Sequence, residues 1–307
     1  MKKTMSLLSI DQLSKNTIGT LFQQAQHIEL GNFDRETSSG KILIPLFFEP
    51  STRTRLSFET AMLRLGGQVL PVPDTTGLAI SKGESFQDTI RVVSACGDII
   101  VMRHATESAV YLANEYSSAP IINGGNGCDE HPTQTLLDLY TIHKEKGTID
   151  GLNVALVGDL KYARTMHSLV KGLSYYQVTI FLISPEELRL PAQLREVLRQ
   201  RQVPFIETPN LLEVLGELDV IYIVMLHHHR IPDQSVVERL QREYYRITPD
   251  LLTQAKPDVT ILHPLVRREE VASEVDALPN AAYFRQAQNG IVVRMALLYQ
   301  MLKGDFC

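Results

Sequence analysis

Cysteine is scarce in this sequence of 307 residues, and so is any excess of positive charge. The three cysteines, Cys96, Cys128 and Cys307, show no Cys-x-x-Cys spacing, which argues against a disulfide framework and fits a reducing compartment. Lysine and arginine total 30 against 35 acidic residues, a net charge of −5, so bulk charge draws the chain to neither nucleic acid nor an anionic membrane. No apolar run approaches the roughly 18 residues that a membrane span needs. Lys2 and Lys3 precede an apolar stretch that Asp11 soon breaks, which predicts no signal peptide and a cytoplasmic protein. No repeat period and no low-complexity tract is visible. What remains is 44% hydrophobic and 21% charged, an ordinary globular composition with length for two domains.

Val- and Ile-rich runs alternate with helical patterns. The strand candidates are ILIPLFF (42–48), DIIVMR (98–103), PIIN (120–123), VALVGD (154–159), VTIFLIS (178–184), VIYIVML (220–226) and VTILHPL (259–265). They are apolar on both faces, as buried parallel strands are. One helix is predicted from Ser9 to His27, opened by a Ser-x-x-Gln capping pattern with Leu13, Ile18, Leu21, Phe22 and Ala25 on one stripe. The fold class expected is α/β, with two parallel-sheet domains and a C-terminal helix returning to the first. Residues 1–135 with 287–307 make the first expected domain and 136–286 the second.

In open α/β sheets ligands bind beyond the carboxyl ends of the strands. STRTR (51–55), MRHATE (102–107), NGGNGCDEHPTQ (123–134) and HPLVRR (263–268) all sit at such ends. The first of them opens a helix, whose unpaired N–H groups attract anions. Together the clusters place Arg53, Arg103, His131 and Gln134 on one sheet edge, with no carboxylate triad and no nucleophile-elbow serine. That set suits binding an anion and polarising a carbonyl. Arg55 lies two positions from Arg53, about 200° around a helix, so the two cannot face one ligand. Arg55 is therefore assigned a structural or inter-subunit pairing.

STRTR, HPTQ, GDLKYARTMHS (158–168) and HPL (263–265) resemble the aspartate/ornithine carbamoyltransferases, on the aspartate branch, over nearly the whole chain. The resemblance implies carbamoyl transfer from carbamoyl phosphate to an amino acid in pyrimidine biosynthesis, with no metal and no cofactor. Carried onto this sequence, Ser51, Thr52, Arg53 and Thr54 would hold the phosphate. Arg103, His131 and Gln134 would hold the carbamoyl group, with Thr54, Arg103 and His131 around its oxygen and the Leu265 carbonyl on its NH₂. Lys82 matches a lysine that reaches a neighbouring subunit's site. Arg164 matches the residue on the acceptor's α-carboxylate, and Arg267 matches the arginine after HPL. The family implies a homotrimer with shared sites, and leaves open association with regulatory or dihydroorotase chains.

Departures fall on the acceptor side. Met225 and His227 stand where an arginine and a glutamine would hold the second carboxylate of aspartate. Leu78 replaces a serine of the mobile loop, and Val266 the proline after HPL. The ornithine branch's HCLP motif is absent. His227, His228 and His229 lack the spaced partners of a metal site. Gly-x-Gly-x-x-Gly is missing from GDLKYAR, so Asp159 is read as a support for Arg164 or for the strand end, not as a ribose ligand. Three readings stay open: transfer to aspartate, transfer to another amino acceptor, or a non-catalytic homologue that binds carbamoyl phosphate. The intact carbonyl-polarising set favours catalysis, and family membership favours aspartate.

Overall fold

The structure is a computed structural model and describes residues 5–72 and 82–306. The chain divides into two compact units, Met1–Leu137 with Gln288–Cys307, and Asp138–Ala287. The first holds strands β1 (Ile42–Phe47), β2 (Gln68–Val69), β3 (Ile99–His104) and β4 (Ile121–Asn126), all parallel, in the order β2-β1-β3-β4. The second holds β5 (Asn153–Val157), β6 (Thr179–Ile183), β7 (Phe205–Thr208), β8 (Val220–Ile223) and β9 (Thr260–Leu262), again all parallel, in the order β7-β6-β5-β8-β9.

Helices interleave with the strands: α1 (Lys15–Glu29), α2 (Thr52–Arg64), α3 (Phe86–Ser94), α4 (Ala109–Tyr116) and α5 (Pro132–Lys146). They continue as α6 (Arg164–Leu173), α7 (Ala192–Gln200), α8 (Gln234–Glu243), α9 (Pro249–Leu252) and α10 (Tyr283–Lys303). Covered on both faces, the central strands bury nearly every residue. Ile44, Leu46, Ile100 and Met102 anchor one core, and Ala155, Val157, Ile221 and Ile223 the other. Each such aliphatic side chain contributes about 1.5–3 kcal/mol of burial.

Both sheets reverse their winding once, and each reversal makes a crevice at the carboxyl ends of two neighbouring strands. In the first unit the reversal lies between β1 and β3, in the second between β5 and β8. STRTR and Arg103 leave the first crevice, and GDLKYAR and Met225–His227 the second.

The expected helix from Ser9 to His27 is two elements. Ser9 does close a capping box with Gln12, but around a single 3-10 turn, Ile10–Gln12. Leu13 is extended, and Ser14 starts α1 afresh by accepting from the Thr17 N–H. Two successive serine caps outweigh the apolar stripe, which stays buried through the break. Two edge strands, β2 and β7, carry none of the long apolar runs. VIYIVML is strand only to Ile223. Among the described residues no helix is long and apolar enough to cross a membrane.

Candidate active site

In the first unit the site grows from the exit of β1. Ser51 is the N-cap of α2 without spending its hydroxyl on a capping bond. Along the first turn Thr54 points inward and is buried, whereas Arg53 is accessible. Desolvation by surrounding protein lowers the Arg53 pKa, yet a guanidinium stays charged at neutral pH. Arg55 pairs with Glu59 at 2.8 Å along α2, the structural partner expected of it.

Thr54 Oγ1 lies 3.3 Å from His131 Nε2, and the other ring nitrogen lies 3.4 Å from Thr133 Oγ1. His131 is buried and receives the Gln134 and Thr135 N–H groups on its carbonyl as α5 begins. Register sets Arg103 beside Phe47 across β1 and β3. Its Nε is 3.4 Å from Glu49 Oε2, and its Nη1 donates to Gly124 O at 3.4 Å. Gly124 has a steric reason: a Cβ there would meet Met102 O at 3.2 Å and Thr54 Cγ2 at 3.6 Å. His104 turns instead to Phe48 and Phe86, and burial lowers its pKa, so Arg103 is the cation of that strand end. The first unit thus brings Thr54 to His131, and sets Arg103 at the carboxyl end of β3 against Glu49 and Gly124. Gln134 is half-buried on the first turn of α5, and Lys82 is exposed. Leu78 lies outside the described residues.

In the second unit the loop after β5 is pinned along its length. Asp159, fully buried, accepts from His227 Nδ1 at 2.9 Å, His227 N at 3.3 Å and Tyr162 N at 3.0 Å. Tyr162 O takes Arg230 Nη1 at 2.8 Å, and His167 Nε2 donates to Leu160 O at 3.0 Å. A carboxylate only accepts, so His227 carries a proton on Nδ1. The observed partners of Asp159 are therefore the tip of the segment after β8 and its own loop. Arg164, buried, opens α6, and Met225 is half-buried just past β8. Leu265 and Arg267 follow β9. Leu265 has φ +55, and the peptide bond to Val266 is cis. Arg267 forms a bidentate ion pair with Asp276, donates to Tyr283 Oη at 2.9 Å and lies over the Tyr283 and Phe284 rings. Among the described residues no group of three or more His, Cys, Asp or Glu is placed to hold a metal.

Buried polar scaffolding around these residues escapes sequence reasoning. Asn126 Oδ1 takes Asn123 Nδ2 and the Glu130 N–H, and Glu130 takes Ser9 Oγ and the Ile10 N–H. This network, with Asn123, Asn126 and Glu130 buried, braces the main chain entering His131. GNG (125–127), read from sequence as turn chemistry, straddles the end of β4: the strand runs to Asn126 and the turn begins at Gly127, at φ +46. The only available signal is polar residues immediately following an apolar strand.

Both units are doubly wound parallel α/β sheets, a fold class that binds ligands at the carboxyl edge, with Thr54, Arg103 and His131 at that edge of the first and buried Arg164 at that of the second. Comparison makes the class specific. Residues 5–144 match the aspartate/ornithine carbamoyltransferase carbamoyl-P binding domain, and residues 150–301 match the Asp/Orn binding domain. The aspartate carbamoyltransferase catalytic subunit of Methanocaldococcus jannaschii is 46% identical over 303 residues, covering 97% of this chain and 98% of the relative. That of Thermococcus gammatolerans is 46% identical over 295 residues, covering 95% and 96%. Among solved structures, aspartate transcarbamoylase of Trypanosoma cruzi in complex with carbamoyl phosphate and aspartate aligns with a TM-score of 0.91 at 38% identity, covering 97% of this chain and 96% of that one. The M. jannaschii catalytic subunit aligns at 0.88 and 45% identity, covering 99% and 98%. This chain belongs to the aspartate/ornithine carbamoyltransferase family.

Proposed function

We propose that the chain transfers the carbamoyl group of carbamoyl phosphate to the amine of L-aspartate, releasing N-carbamoyl-L-aspartate and phosphate, as a cytoplasmic step of pyrimidine biosynthesis. The observation that carries this reading is the meeting of Thr54 and His131 at 3.3 Å, at the same sheet edge as Arg103, which ends β3 in register with Phe47. Attack by the amine forms a C–N bond and places negative charge on the carbonyl oxygen. Donors set in advance around that oxygen lower such a barrier by about 3–4 kcal/mol each. Thr54, Arg103 and His131 take that part, and Gln134 holds the carbamoyl amide. As the C–O bond breaks and the proton lost by the amine passes to the departing phosphate, Ser51, Thr52, Arg53 and Thr54 hold that phosphate against the N-terminus of α2. The Leu265 carbonyl accepts from the carbamoyl NH₂, and Arg164 holds the acceptor's α-carboxylate. Arg267, committed to Asp276 and Tyr283, supports the acceptor segment through its packing.

Supporting this are the two family domains and the relatives whose bound ligands include carbamoyl phosphate and aspartate. Relatives carry the description of catalytic subunit, which supports an oligomer. The assembly proposed is a homotrimer in which Lys82 completes a neighbour's site. A second reading, transfer to a different amino acid, is favoured by Met225 and His227 at the β5–β8 crevice. A carboxylate placed against a thioether is left without a cationic partner. The test of the main reading is product formation from carbamoyl phosphate and a panel of amino acids, together with calorimetry on Arg53→Ala. Losing a charge-assisted contact to the phosphate should weaken carbamoyl phosphate by about 1.5–3 kcal/mol. Unchanged affinity, or no transfer to any amino acid, would overturn it.

A further inference from the structure

The segment that leaves β9 is clamped by two buried titratable side chains to which the chemistry above gives no task. Leu265 adopts φ +55, a conformation that branched L side chains rarely hold without external support. Its N–H donates to His263 Nδ1, two residues earlier, at 2.8 Å. A ring nitrogen that accepts carries no proton, so the proton of this imidazole is on Nε2, which donates to Glu270 Oε1 at 2.8 Å. The histidine side chain is 1% exposed and the glutamate 3%, so water does not compete for either bond. Glu270 Oε1 also receives the Arg268 N–H at 3.0 Å, and its main-chain carbonyl receives the Ile247 N–H at 2.9 Å. Upstream, the His263 N–H donates to Gln286 Oε1 at 2.9 Å, and Gln286 Nε2 to Asp138 Oδ1 at 2.6 Å. The chain is therefore held at 263 and at 270, and between them the imidazole of His263 holds the Leu265 amide.

We infer that His263, oriented by Glu270, is a positioning residue that sets the direction of the Leu265 carbonyl toward the carbamoyl NH₂. This rests on the function proposed above. The imidazole replaces a backbone acceptor in a turn that leucine would not otherwise hold, and Glu270 chooses which nitrogen faces Leu265. A displacement of about 1 Å in a substrate-orienting group can cost on the order of a hundredfold in rate.

Isosteric variants separate the two ring nitrogens. His263→Asn puts an amide oxygen near the place of Nδ1 and keeps an acceptor for Leu265, but gives up Glu270. His263→Gln reaches toward Glu270 and leaves the Leu265 N–H without its acceptor. The expected result is that kcat falls about tenfold further in His263→Gln than in His263→Asn, although each loses one hydrogen bond and their melting temperatures fall alike. Glu270→Ala, which frees the ring to turn, should lower kcat about tenfold, and Glu270→Gln, which still accepts from Nε2–H, should restore most of it. Inorganic phosphate affinity should be the same in all four variants and in wild type. Equal kcat losses in the two His263 variants, losses that track melting temperature, or a Glu270→Ala enzyme with wild-type kcat would overturn the inference. Should His263→Gln fail to fold, the Glu270 pair decides alone. A wild-type chain that transfers carbamoyl to no amino acid would instead sink the proposed function, and this inference with it.

Discussion

Gly158, where β5 ends, offers a perturbation whose size follows from geometry. Its φ is +110, and a Cβ there would collide with Tyr244 Oη and stand 2.8 Å from Val224 O. Tyr244 Oη itself donates to Val224 O at 2.9 Å, and burial pushes its phenol pKa well above the ordinary value, so it stays a donor at neutral pH. Gly158→Ala therefore incurs about 1–3 kcal/mol for a non-glycine residue at such a φ. Overpacking against a buried phenol and a strand carbonyl adds about 1–3 kcal/mol. With partial relaxation we expect about 3 kcal/mol, which for a unit of this size is a fall in melting temperature of about 6–12 °C. The displaced groups lead from β8 into Met225 and His227, so the KM for aspartate should rise about tenfold, while carbamoyl phosphate binding stays as in wild type. Tyr244→Phe alone should cost about 1 kcal/mol for the lost bond. Combined with Gly158→Ala it should cost about 1 kcal/mol less than the sum, because the colliding hydroxyl is gone. Scanning calorimetry of the four proteins and a two-substrate kinetic analysis measure all of this. A Gly158→Ala melting temperature within about 1 °C of wild type, or strict additivity with Tyr244→Phe, would refute the reasoning.

Met225→Arg should supply the missing cation and lower the KM for aspartate by about tenfold or more, read from initial rates against aspartate and neutral amino acids. Tight aspartate use in wild type with no response to this change would remove the acceptor-side argument. Lys82→Ala and His131→Ala chains should each be nearly inactive, yet an equal mixture, unfolded and reassembled, should recover about a quarter of native sites by random assortment. A fully active monomer in sedimentation would exclude shared sites. Acid stability should depend on Glu270. Burial alone would raise its pKa, but the hydrogen bonds from His263 and from the Arg268 and Glu270 backbone hold it below the ordinary 4.5. A depressed carboxyl contributes stability that is fully present above the unfolded-state pKa and is lost as pH falls through the folded one. Glu270→Gln should therefore flatten the stability curve below about pH 4.5 and leave that part of its shape unchanged at higher pH, measured by urea unfolding across pH.

The sequence alone determined the architecture class and the family resemblance, and it nominated the strand-end residues of the candidate site. Among the described residues, seven of nine strands overlap the Val- and Ile-rich runs, because parallel strands covered on both faces are largely apolar. STRTR, Arg103 and HPTQ stand out because polar residues directly after such runs can only lie at strand ends, where ligands bind. The two strands that sequence reasoning missed, β2 and β7, are edge strands, and Phe205–Thr208 is largely solvent-accessible, so neither needed an apolar run. Local capping likewise allowed one helix from Ser9 where the chain makes two, since Ser9 and Ser14 are equally able to cap.

Tertiary structure decided which polar residues answer one another. That Asp159 meets His227, 68 residues on, follows from β5 and β8 being neighbours at a winding reversal, and sequence separation carries no trace of it. That Arg267 is spent on Asp276 and Tyr283 depends on where α10 starts. The imidazole of His263 faces Leu265 only because Glu270 claims its other nitrogen inside a site closed to water. A hydrogen bond between buried groups depends on ångström-scale placement and on the exclusion of solvent. Both are properties of packing, which hydrophobic periodicity and motif spacing leave unspecified.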